Sequence, residues 1–478
     1  MYPEWVEQHR GKGKEIKFIR GKYYLYERTN IWDKEKKQAK KISGNYLGRI
    51  TPEGLISPDR KMVKKIGPQE IPNKEFGASK YLMEIGSDIL ENLKKHFPNL
   101  WQEIAVMSVL RTYHPQPFKQ IEDSYAHSYL SVEYPDLNLS KQRITKILQD
   151  IGNRRNDVVK FMKEYLYEAE HVIFDGTIIT SHSEKMDISQ VGYNNKRSYK
   201  PQVNLLYAFS TKPEISPAYY RVIPGSICDV TAFSKTVEET GLQDALIIGD
   251  KGFGSKKNFD ALEGACLKYI VPLRRSSVHL NSEVLRAGHA NGFEDYFLFR
   301  GRPIFYFSHK EGEISYCTFV DGELRLREET DYIRRIEEGK EGYTREGFAE
   351  RRLKFGVILL RSNVDKSPKE IYETYKTRAM IEESFDTLKN LLGQDASYMQ
   401  SDASFEAWAF INHISLMFSY RLWNILKSRE LFKFYSSSDV LRLLSFVRKL
   451  YINEEWVFSE ICKKSRDIIK TLDFSLDS

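Results

Sequence analysis

The sequence predicts a mixed α/β fold, and three segments indicate it. Residues 171–180 (HVIFDGTIIT) and residues 244–253 (DALIIGDKGF) are apolar stretches of strand length; the first carries one acid, and the apolar run of the second ends in an acid. A long amphipathic helix is predicted from Pro368 to about Leu392, with its apolar residues on one side. Buried strands interspersed with amphipathic helices are typical of a sheet covered by helices.

A chain of 478 residues is too long for one ordinary compact domain, so several units are predicted. Residues 15–50 alternate basic, aromatic and aliphatic side chains, which indicates strands. The predicted order is a basic strand-rich module over 1–75, a helical region with a DNA-binding role over 76–165, a first core part over 166–275, a β-rich insertion over 276–352, a second core part over 353–425 and a helical tail over 426–478.

The composition excludes several classes of protein. Hydrophobic residues make up 41% of the chain and aromatic residues 13%, which is enough for packed cores. No apolar run is long enough for a membrane span or a signal peptide, so a soluble cytoplasmic protein is expected. The scattered cysteines predict free thiols and no structural zinc site, and the dispersed histidines suggest no catalytic role; the cysteines are Cys228, Cys266, Cys317 and Cys462.

The net charge of +7 is concentrated at the N-terminal end. The first 70 residues hold 17 Lys and Arg against 9 Asp and Glu. A basic segment of this kind suits contact with nucleic acid phosphates. A well-solvated lysine-rich surface accounts for the same charge, so both interpretations stay open.

A helix is predicted from Ser140, which is a good N-cap, to Gly152. Its apolar residues recur at helical spacing, and they are Ile144, Ile147, Leu148 and Ile151. Together with the upstream stretch PFKQIEDSYAHSYL it could form a helix-turn-helix that exposes Lys141, Gln142 and Arg143 to DNA. Most such helix pairs only pack against each other, and that alternative is retained.

The two strands place carboxylates beside apolar residues. Asp175 follows Val172, Ile173 and Phe174, and Asp250 follows Leu246–Gly249. A carboxylate beside a sheet core must be paired, hydrogen-bonded or neutralised by a metal ion. The glycines that follow both aspartates also fit a simple turn or cap at a strand end. Two such acids in one α/β unit, with a third on a later helix, favour a metal site.

The predicted helix carries a polar line beside its apolar face. At about 100° per residue, Tyr375, Arg378, Glu382 and Lys389 fall within an arc of roughly 60°. Glu382 is therefore the third carboxylate, and Asp386, about 40° away, is the backup. An ordinary amphipathic helix in which Arg378 pairs with Glu382 at i, i+4 is the alternative.

The spacing of these four polar residues on the predicted helix resembles a known family signature. Tyr375-x2-Arg378-x3-Glu382-x6-Lys389 resembles the Tyr-Arg-Glu-Lys (YREK) signature of cut-and-paste DDE transposases of bacterial insertion sequences. The stretches Asp175-Gly-Thr and Gly-Asp250-Lys-Gly-Phe resemble the two aspartate motifs of that family. The stretch PGSICD, with Gly225 and Asp229, resembles the short segment between them. The resemblance covers about residues 166–425.

The resemblance implies a ribonuclease-H-like core in which Asp175, Asp250 and Glu382 are the catalytic residues and bind two Mg²⁺ ions, for which Mn²⁺ can substitute. Oxygen ligands of this kind suit Mg²⁺. It also implies that Tyr375, Arg378 and Lys389 bind DNA. The expected partners are double-stranded DNA, as element ends and as target, and a second copy of the chain on that DNA, in the bacterial cytoplasm beside the nucleoid and without a membrane.

The predicted function is therefore cleavage of the ends of a mobile element and joining of the 3′-hydroxyl to target DNA. Two alternatives remain, a ribonuclease-H-like nuclease that does not join strands and an inactive, transposase-derived DNA-binding protein. The aromatic residues of the insertion are interpreted as the core of a small sheet, with base stacking as the other interpretation; they are Tyr296, Phe297, Phe299, Phe305, Tyr306 and Phe307.

Overall fold

The structure is a computed structural model, which describes residues 2–33, 38–56, 71–167, 169–192, 200–212, 214–226, 229–242, 245–287, 292–378 and 396–476. The chain divides into two compact units, Met1–Pro72 and Asn73–Ser478. Among the described helices, none combines the length and the apolar character that a membrane crossing requires. Cys266, Cys317 and Cys462 are free thiols, as predicted, and Cys228 lies outside the described residues.

The first unit is an antiparallel sheet with one short helix. Its elements are α1 (Glu4–Glu7), β1 (Lys14–Ile19), β2 (Lys22–Asp33), β3 (Gln38–Thr51) and β4 (Gly54–Ile56). The strands pair in chain order, as expected for successive hairpins. Val6, Leu25 and Ile50 form the small buried core of this unit. The prediction of strands over this part of the chain is confirmed.

The second unit begins with a short strand and a set of helices. They are β5 (Asn73–Glu75), α2 (Gly77–Ile85), α3 (Ser87–His96), α4 (Trp101–Tyr113), α5 (Ile121–His127), α6 (Leu130–Glu133), α7 (Lys141–Gly152) and α8 (Arg155–Tyr167), with a 3₁₀ turn over Phe118–Gln120. Helix α7 confirms the predicted helix: Ser140 is its N-cap residue, and all four predicted apolar residues are buried. The short helix α6 separates α5 from α7, so these two helices are not joined by one turn.

Gly152, the last residue of α7, is required there by close packing that the sequence does not show. A Cβ atom at this position would lie 1.8 Å from the carbonyl oxygen of Ala403. Only glycine therefore lets the end of α7 approach the helix that contains Ala403 this closely.

A mixed sheet forms the centre of the second unit. Its first strands and helices are β6 (His171–Ser181), β7 (Gln190–Val191), β8 (Pro201–Lys212), β9 (Ser216–Pro224), α9 (Asp229–Thr240), β10 (Leu246–Ile248), α10 (Lys256–Gly264) and β11 (Lys268–Leu273), with a 3₁₀ turn over Lys251–Phe253. Strand β8 pairs antiparallel with β6 on one side and with β9 and β7 on the other. Strand β10 lies parallel to both β6 and β11.

The segment predicted as a β-rich insertion is not a separate sheet. It contains α11 (Ser282–Ala287), β12 (Asp295–Phe299), β13 (Arg302–Glu311), β14 (Ile314–Asp321), α12 (Gly322–Glu337) and α13 (Arg345–Arg351). Strand β14 pairs with β15 (Val357–Ser362), which pairs with β11, so the three strands extend the central sheet. The prediction of a β-rich segment was wrong for α12, which has a largely charged sequence. Asp321 is the N-cap residue of this helix, and its side chain accepts hydrogen bonds from the N–H groups of Glu323 and Leu324.

The chain ends with α14 (Pro368–Lys376), β16 (Ala396–Ser397), α15 (Asp402–Ser428), α16 (Ser437–Ser445), β17 (Arg448–Ile452), β18 (Glu455–Phe458) and α17 (Lys463–Leu472), with 3₁₀ turns over Arg352–Lys354 and Leu431–Lys433. Helix α15 is buried along most of its length and packs on α4 and α7. The prediction of a helical tail was wrong for β17 and β18. Strand β17 pairs with β5, and this partner lies hundreds of residues earlier in the chain.

Candidate active site

Two neighbouring parallel strands bring Asp175 and Asp250 together. Ile173 of β6 is the register partner of Ile248 of β10. Asp175 lies two residues after Ile173 within β6, and Asp250 lies two residues after Ile248, just beyond the end of β10, so the register of the two strands puts the aspartates side by side. Parallel pairing therefore converts two acids 75 residues apart in the sequence into neighbours.

Asp175 lies within its strand and not at its end. Strand β6 continues beyond it to Ser181. The alternative that Asp175 is a turn residue at a strand end is therefore wrong, because the apolar residues after Gly176 extend the strand. The side chain is partly buried, and its Oδ1 accepts a hydrogen bond of 2.9 Å from the N–H of Gly176.

Asp250 does act as a cap, and it also faces the same site. Its Oδ1 accepts hydrogen bonds from the N–H groups of Gly252, at 2.7 Å, and Phe253, at 3.2 Å, which start the 3₁₀ turn after β10. This arrangement fixes the carboxylate and leaves Oδ2 directed elsewhere. The interpretation of Asp250 as a turn residue is thus correct: Oδ1 caps the turn, while Oδ2 faces the site.

The two Oδ2 atoms face one cation, the guanidinium of Arg378. Its Nη2 lies 3.6 Å from Oδ2 of Asp175 and 4.0 Å from Oδ2 of Asp250. Burial by itself lowers the pKa of Arg378, but the charge of Asp175, assisted by Tyr375 and Asp250, outweighs it and raises the pKa above its usual value. Arg378 is therefore a fixed positive charge between two carboxylates.

Helix α14 positions Arg378. Ser367 and Glu370 form a reciprocal capping box at its first turn, and Pro368 occupies the first helical position. Ile371 and Tyr372 are fully buried. The helix is thereby fixed at its start and along one side, and Arg378 follows two residues after its last residue, Lys376.

A buried polar contact ties α14 to the extended sheet. The hydroxyl of Tyr372 donates to Oδ2 of Asp321 at 3.3 Å, and Nη2 of Arg302 lies 3.2 Å from the same oxygen. Burial raises the pKa of Tyr372, so its hydroxyl stays protonated as a donor. The strands of the insertion therefore help to hold α14, the helix that precedes Arg378.

Aromatic residues of the insertion surround Tyr372. The rings of Phe297 and Phe299 lie 5.5 and 5.3 Å from it in edge-on geometry, and Phe319 lies 4.9 Å away. The core interpretation is confirmed for Phe297, which is buried, and the side chain of Tyr296 is 64% exposed. Base stacking by the exposed aromatic residues stays a prediction.

The remaining predicted residues of the helix divide into two groups. Tyr375 is half-buried and hydrogen-bonds with Arg378. Glu382 and Lys389, together with the backup acid Asp386, lie outside the described residues, because 379–395 is not described. The structure thus brings together Asp175, Asp250, Arg378 and Tyr375, and the roles of all six predicted site residues stay predictions.

The donor atoms of this site fit a divalent cation. Two carboxylate oxygens converge on a single positive charge, and hard ions such as Mg²⁺ prefer oxygen ligands of this kind. The backbone N–H groups that bind each Oδ1 also orient the two Oδ2 atoms toward Arg378. Asp175 and Asp250 would hold the ion, and the role predicted for Glu382 is that of a third carboxylate ligand.

Gly225, in the segment between the two aspartate motifs, is required by close packing. A Cβ atom there would lie 2.1 Å from the carbonyl oxygen of Gln202 and 2.5 Å from that of Gln190. The carbonyl of Gly225 also accepts a hydrogen bond of 3.3 Å from the side chain of Gln202. The side chain of Asp229, at the start of α9, lies outside the described residues.

A basic cleft that was not predicted from the sequence adjoins the site. The cavity has a volume of about 580 Å³, and Lys251, the residue after Asp250, is one of the residues that line it. Its acids are paired, Glu328 with Arg275 and Asp331 with Arg335. Four further basic side chains line it and form no ion pair within the described residues; they are Lys251, Arg274, Arg351 and Lys354. The available signal was the Arg-Arg pair that directly follows β11.

Adjacent strand-borne carboxylates that face one cation, on a mixed sheet flanked by helices, define a candidate metal-dependent phosphoryl-transfer site. Residues 167–418, more than half of the chain, match the family described as Transposase DDE domain. The chain belongs to this family of metal-dependent DNA-cleaving enzymes, and membership implies a ribonuclease-H-like core for the central sheet.

Among solved structures, the chain is similar to one described as a piggyBac transposase synaptic complex with hairpin DNA. The identity is 10%, the TM-score is 0.42, and the match covers 77% of this chain and 80% of that chain. No curated protein sequence matches the chain.

Proposed function

We propose that this protein is an active DNA transposase that cleaves the ends of its element and joins them to target DNA. The observation that carries the proposal is the convergence of Asp175 and Asp250 on one positive charge from adjacent parallel strands. Family membership indicates the class of reaction, which is metal-dependent DNA cleavage, and the two carboxylates are the proposed metal ligands. Glu382 is proposed as the third carboxylate.

The reaction has two steps of the same kind. In the first, the oxygen of water bonds to phosphorus and the P–O3′ bond breaks; the 3′ oxygen takes up a proton and leaves as a hydroxyl, and a 5′-phosphate remains. In the second, that 3′-hydroxyl loses its proton and bonds to a target phosphorus; the target P–O3′ bond breaks, and the target 3′ oxygen takes up a proton and leaves as a hydroxyl. Two Mg²⁺ ions, when bound, would activate the attacking oxygen and stabilise the leaving oxygen.

The basic cleft is proposed as the path of DNA next to the cleaved bond. Lys251 and Arg274 lie in it without ion pairs inside the described residues, so their charges are available to phosphates. Because Lys251 lines the cleft and follows Asp250 directly in the chain, the cleft would bring phosphate-binding charge near the carboxylates. The first unit, whose described surface is rich in Lys and Arg, is proposed as a second DNA-binding surface.

The finer assignment rests on the helix signature. We propose that the predicted helix carries the Tyr-Arg-Glu-Lys set of insertion-sequence transposases, formed by Tyr375, Arg378, Glu382 and Lys389. Of these residues, Tyr375, Arg378 and Lys389 would bind DNA. Arg378 as a planar fork and Lys389 as a compact charge suit phosphate binding. The proposed partners are element ends, target DNA and a second copy of the chain, because two ends must be processed together.

A strand-transfer assay tests the proposal. Duplexes taken from the DNA on either side of the coding gene, ending in 3′-hydroxyls, are incubated with the protein, Mg²⁺ and a supercoiled plasmid, and unrelated duplexes of equal length are the control. Joined products that require Asp175 and Asp250 are expected. Cleavage without joining would favour the nuclease alternative. Binding without cleavage or joining would favour the inactive DNA-binding protein.

A further inference from the structure

A second cluster of potential metal ligands lies away from the two aspartates. His279, His309 and Glu311 each offer one ligand atom, and these atoms lie within 4.8 Å of one another. Nδ1 of His279 lies 3.1 Å and Nε2 of His309 lies 3.7 Å from the same Oε1 of Glu311. We infer that these three side chains form a binding site for Zn²⁺.

Strand geometry brings two of the three ligands to one face. His309 and Glu311 are two residues apart on β13, so their side chains point to the same side of the sheet. His279 comes from the segment between β11 and α11, where the hydroxyl of Ser277 accepts its backbone N–H at 3.3 Å. His279 lies about 30 residues before the other two ligands in the sequence, which is why no ligand spacing was visible there.

A buried tyrosine orients both imidazoles. Tyr316, directly across the strand pair from His309, is 4% exposed. Its ring lies 3.9 Å from the ring of His279 and 5.1 Å from that of His309, at interplanar angles of 12° and 14°. Stacking on a fixed ring limits the rotation of both histidines, so less conformational entropy would be lost when a metal ion binds.

The ligand set selects the class of metal. Ligand atoms in a tetrahedral zinc site lie about 3.3 Å apart, given bonds of about 2.0 to 2.1 Å. The two nitrogen–oxygen distances at Glu311 are close to that value. Imidazole suits zinc and related transition metals, whereas Mg²⁺ prefers oxygen. A cavity of about 770 Å³ adjoins the ligands and leaves room for a water molecule or a further ligand.

Zinc at this position would connect β13 to the segment that begins with Arg274 and Arg275, both of which line the basic cleft. It would therefore stabilise the part of the chain that carries phosphate-binding charge. The zinc site is independent of the proposed reaction, because none of its three ligands belongs to the aspartate site.

The test uses the full-length chain with Asp175→Ala and Asp250→Ala, so that the aspartate site cannot contribute. Zn²⁺ is titrated in competition with a chromophoric chelator, and Co²⁺ is followed by its visible absorption. One ion per chain is expected, without the thiolate band that binding to the exposed Cys266 or Cys462 would produce. Zn²⁺ should also raise the melting temperature, whereas Mg²⁺ should not.

In that background, His279→Ala, His309→Ala and Glu311→Gln should each weaken Zn²⁺ binding by roughly tenfold or more, the range known for loss of even an outer-shell partner. Glu313→Gln, an exposed neighbour on the same hairpin, is the matched control and should bind normally. Glu311 is more than half exposed, so Glu311→Gln tests the site even if a histidine variant fails to fold. Absence of Zn²⁺ binding, or equal binding by all variants, would overturn the inference.

Discussion

The Nη2 atom of Arg378 lies 3.6 Å from Oδ2 of Asp175, although the two residues are about 200 positions apart in the chain. Their contact joins the end of α14 to the middle of β6. Oδ2 of Asp250 also faces Arg378. The guanidinium of Arg378 therefore neutralises part of the negative charge of the two carboxylates, which a divalent ion would otherwise neutralise. Arg378 is therefore expected to influence both DNA phosphate binding and metal affinity.

The first prediction concerns the carboxylates. Asp175→Asn, Asp250→Asn or Glu382→Gln should each reduce cleavage and joining by roughly a thousandfold or more, since a loss of about 4 kcal/mol of metal-mediated transition-state stabilisation has that effect. DNA affinity in gel-shift titrations should change little, because binding rests on phosphate contacts. Glu373→Gln, an exposed acid on α14, is the control. Normal cleavage by Asp175→Asn would refute the site.

The second prediction separates the two effects of Arg378. Arg378→Ala should slow cleavage roughly tenfold to a hundredfold, because it removes a charge-assisted hydrogen bond to phosphate worth about 1.5 to 3 kcal/mol. The same change should strengthen Mg²⁺ binding to the free protein in titration calorimetry, because it removes a positive charge that faces both aspartates. Arg378→Lys should recover only part of the rate, since the planar fork is absent from lysine.

Lys369→Ala, an exposed lysine in the first turn of α14, is the matched control for Arg378→Ala and should leave both measurements unchanged. If Arg378 only stabilises the fold, Arg378→Ala will lower the melting temperature and leave single-turnover cleavage near normal at low temperature. Measurement of melting and cleavage on one preparation decides between the two roles.

The third prediction concerns the basic cleft. The double change Arg274→Ala and Lys354→Ala should weaken DNA binding and make its dependence on salt less steep, by about 0.9 in the logarithmic slope for each phosphate that is no longer neutralised. The measurement is a set of binding titrations over a range of salt concentrations. Lys433→Ala, an exposed lysine of the 3₁₀ turn after α15, should leave the slope unchanged. An unaltered slope in the double variant would show that DNA does not follow the cleft.

The fourth prediction concerns the first unit. Removal of Met1–Pro72, which is a compact unit with its own small core, should lower DNA affinity and its salt dependence. Cleavage of DNA supplied at saturating concentration should persist, because the aspartates lie in the second unit. Circular dichroism melting checks that the remaining chain is folded. Unchanged affinity would mean that the basic excess is only a solvated surface.

The fifth prediction is a pH dependence of stability. Glu75 is buried, and burial raises its pKa from 4.5 to about 7, against hydrogen bonds from Ser79 and Ala78 that lower it. Between pH 4.5 and about pH 7 the unfolded chain releases the carboxyl proton that the folded chain keeps. The free energy of unfolding therefore decreases as pH rises through this range. The loss is complete above about pH 7.

Glu75→Gln keeps an acceptor for the N–H of Ala78 and removes the charge. The variant should gain roughly 2 to 3 kcal/mol of stability over the original chain above neutral pH, and little near pH 4.5, in urea titrations. Glu91→Gln, at an exposed glutamate of α3, should show no such trend. A pH-independent difference for Glu75→Gln would contradict the assignment.

The sequence by itself determined the features that depend on local chemistry. Helix α7 follows from apolar residues at helical spacing, and the strands that carry Asp175 and Asp250 follow from apolar runs beside an acid. Family membership was also accessible, because the aspartate motifs are short and continuous in the chain.

Only the tertiary structure decided which distant segments meet. The pairing of β14 with β15, which makes the insertion part of the central sheet, and the pairing of β17 with β5 depend on partners that local patterns do not specify. The meeting of Arg378 with Asp175, and of His279 with Glu311, depends on the same long-range packing. The physical reason is that residue type and spacing determine local conformation, whereas contacts between distant side chains form only when the buried faces of many elements pack together.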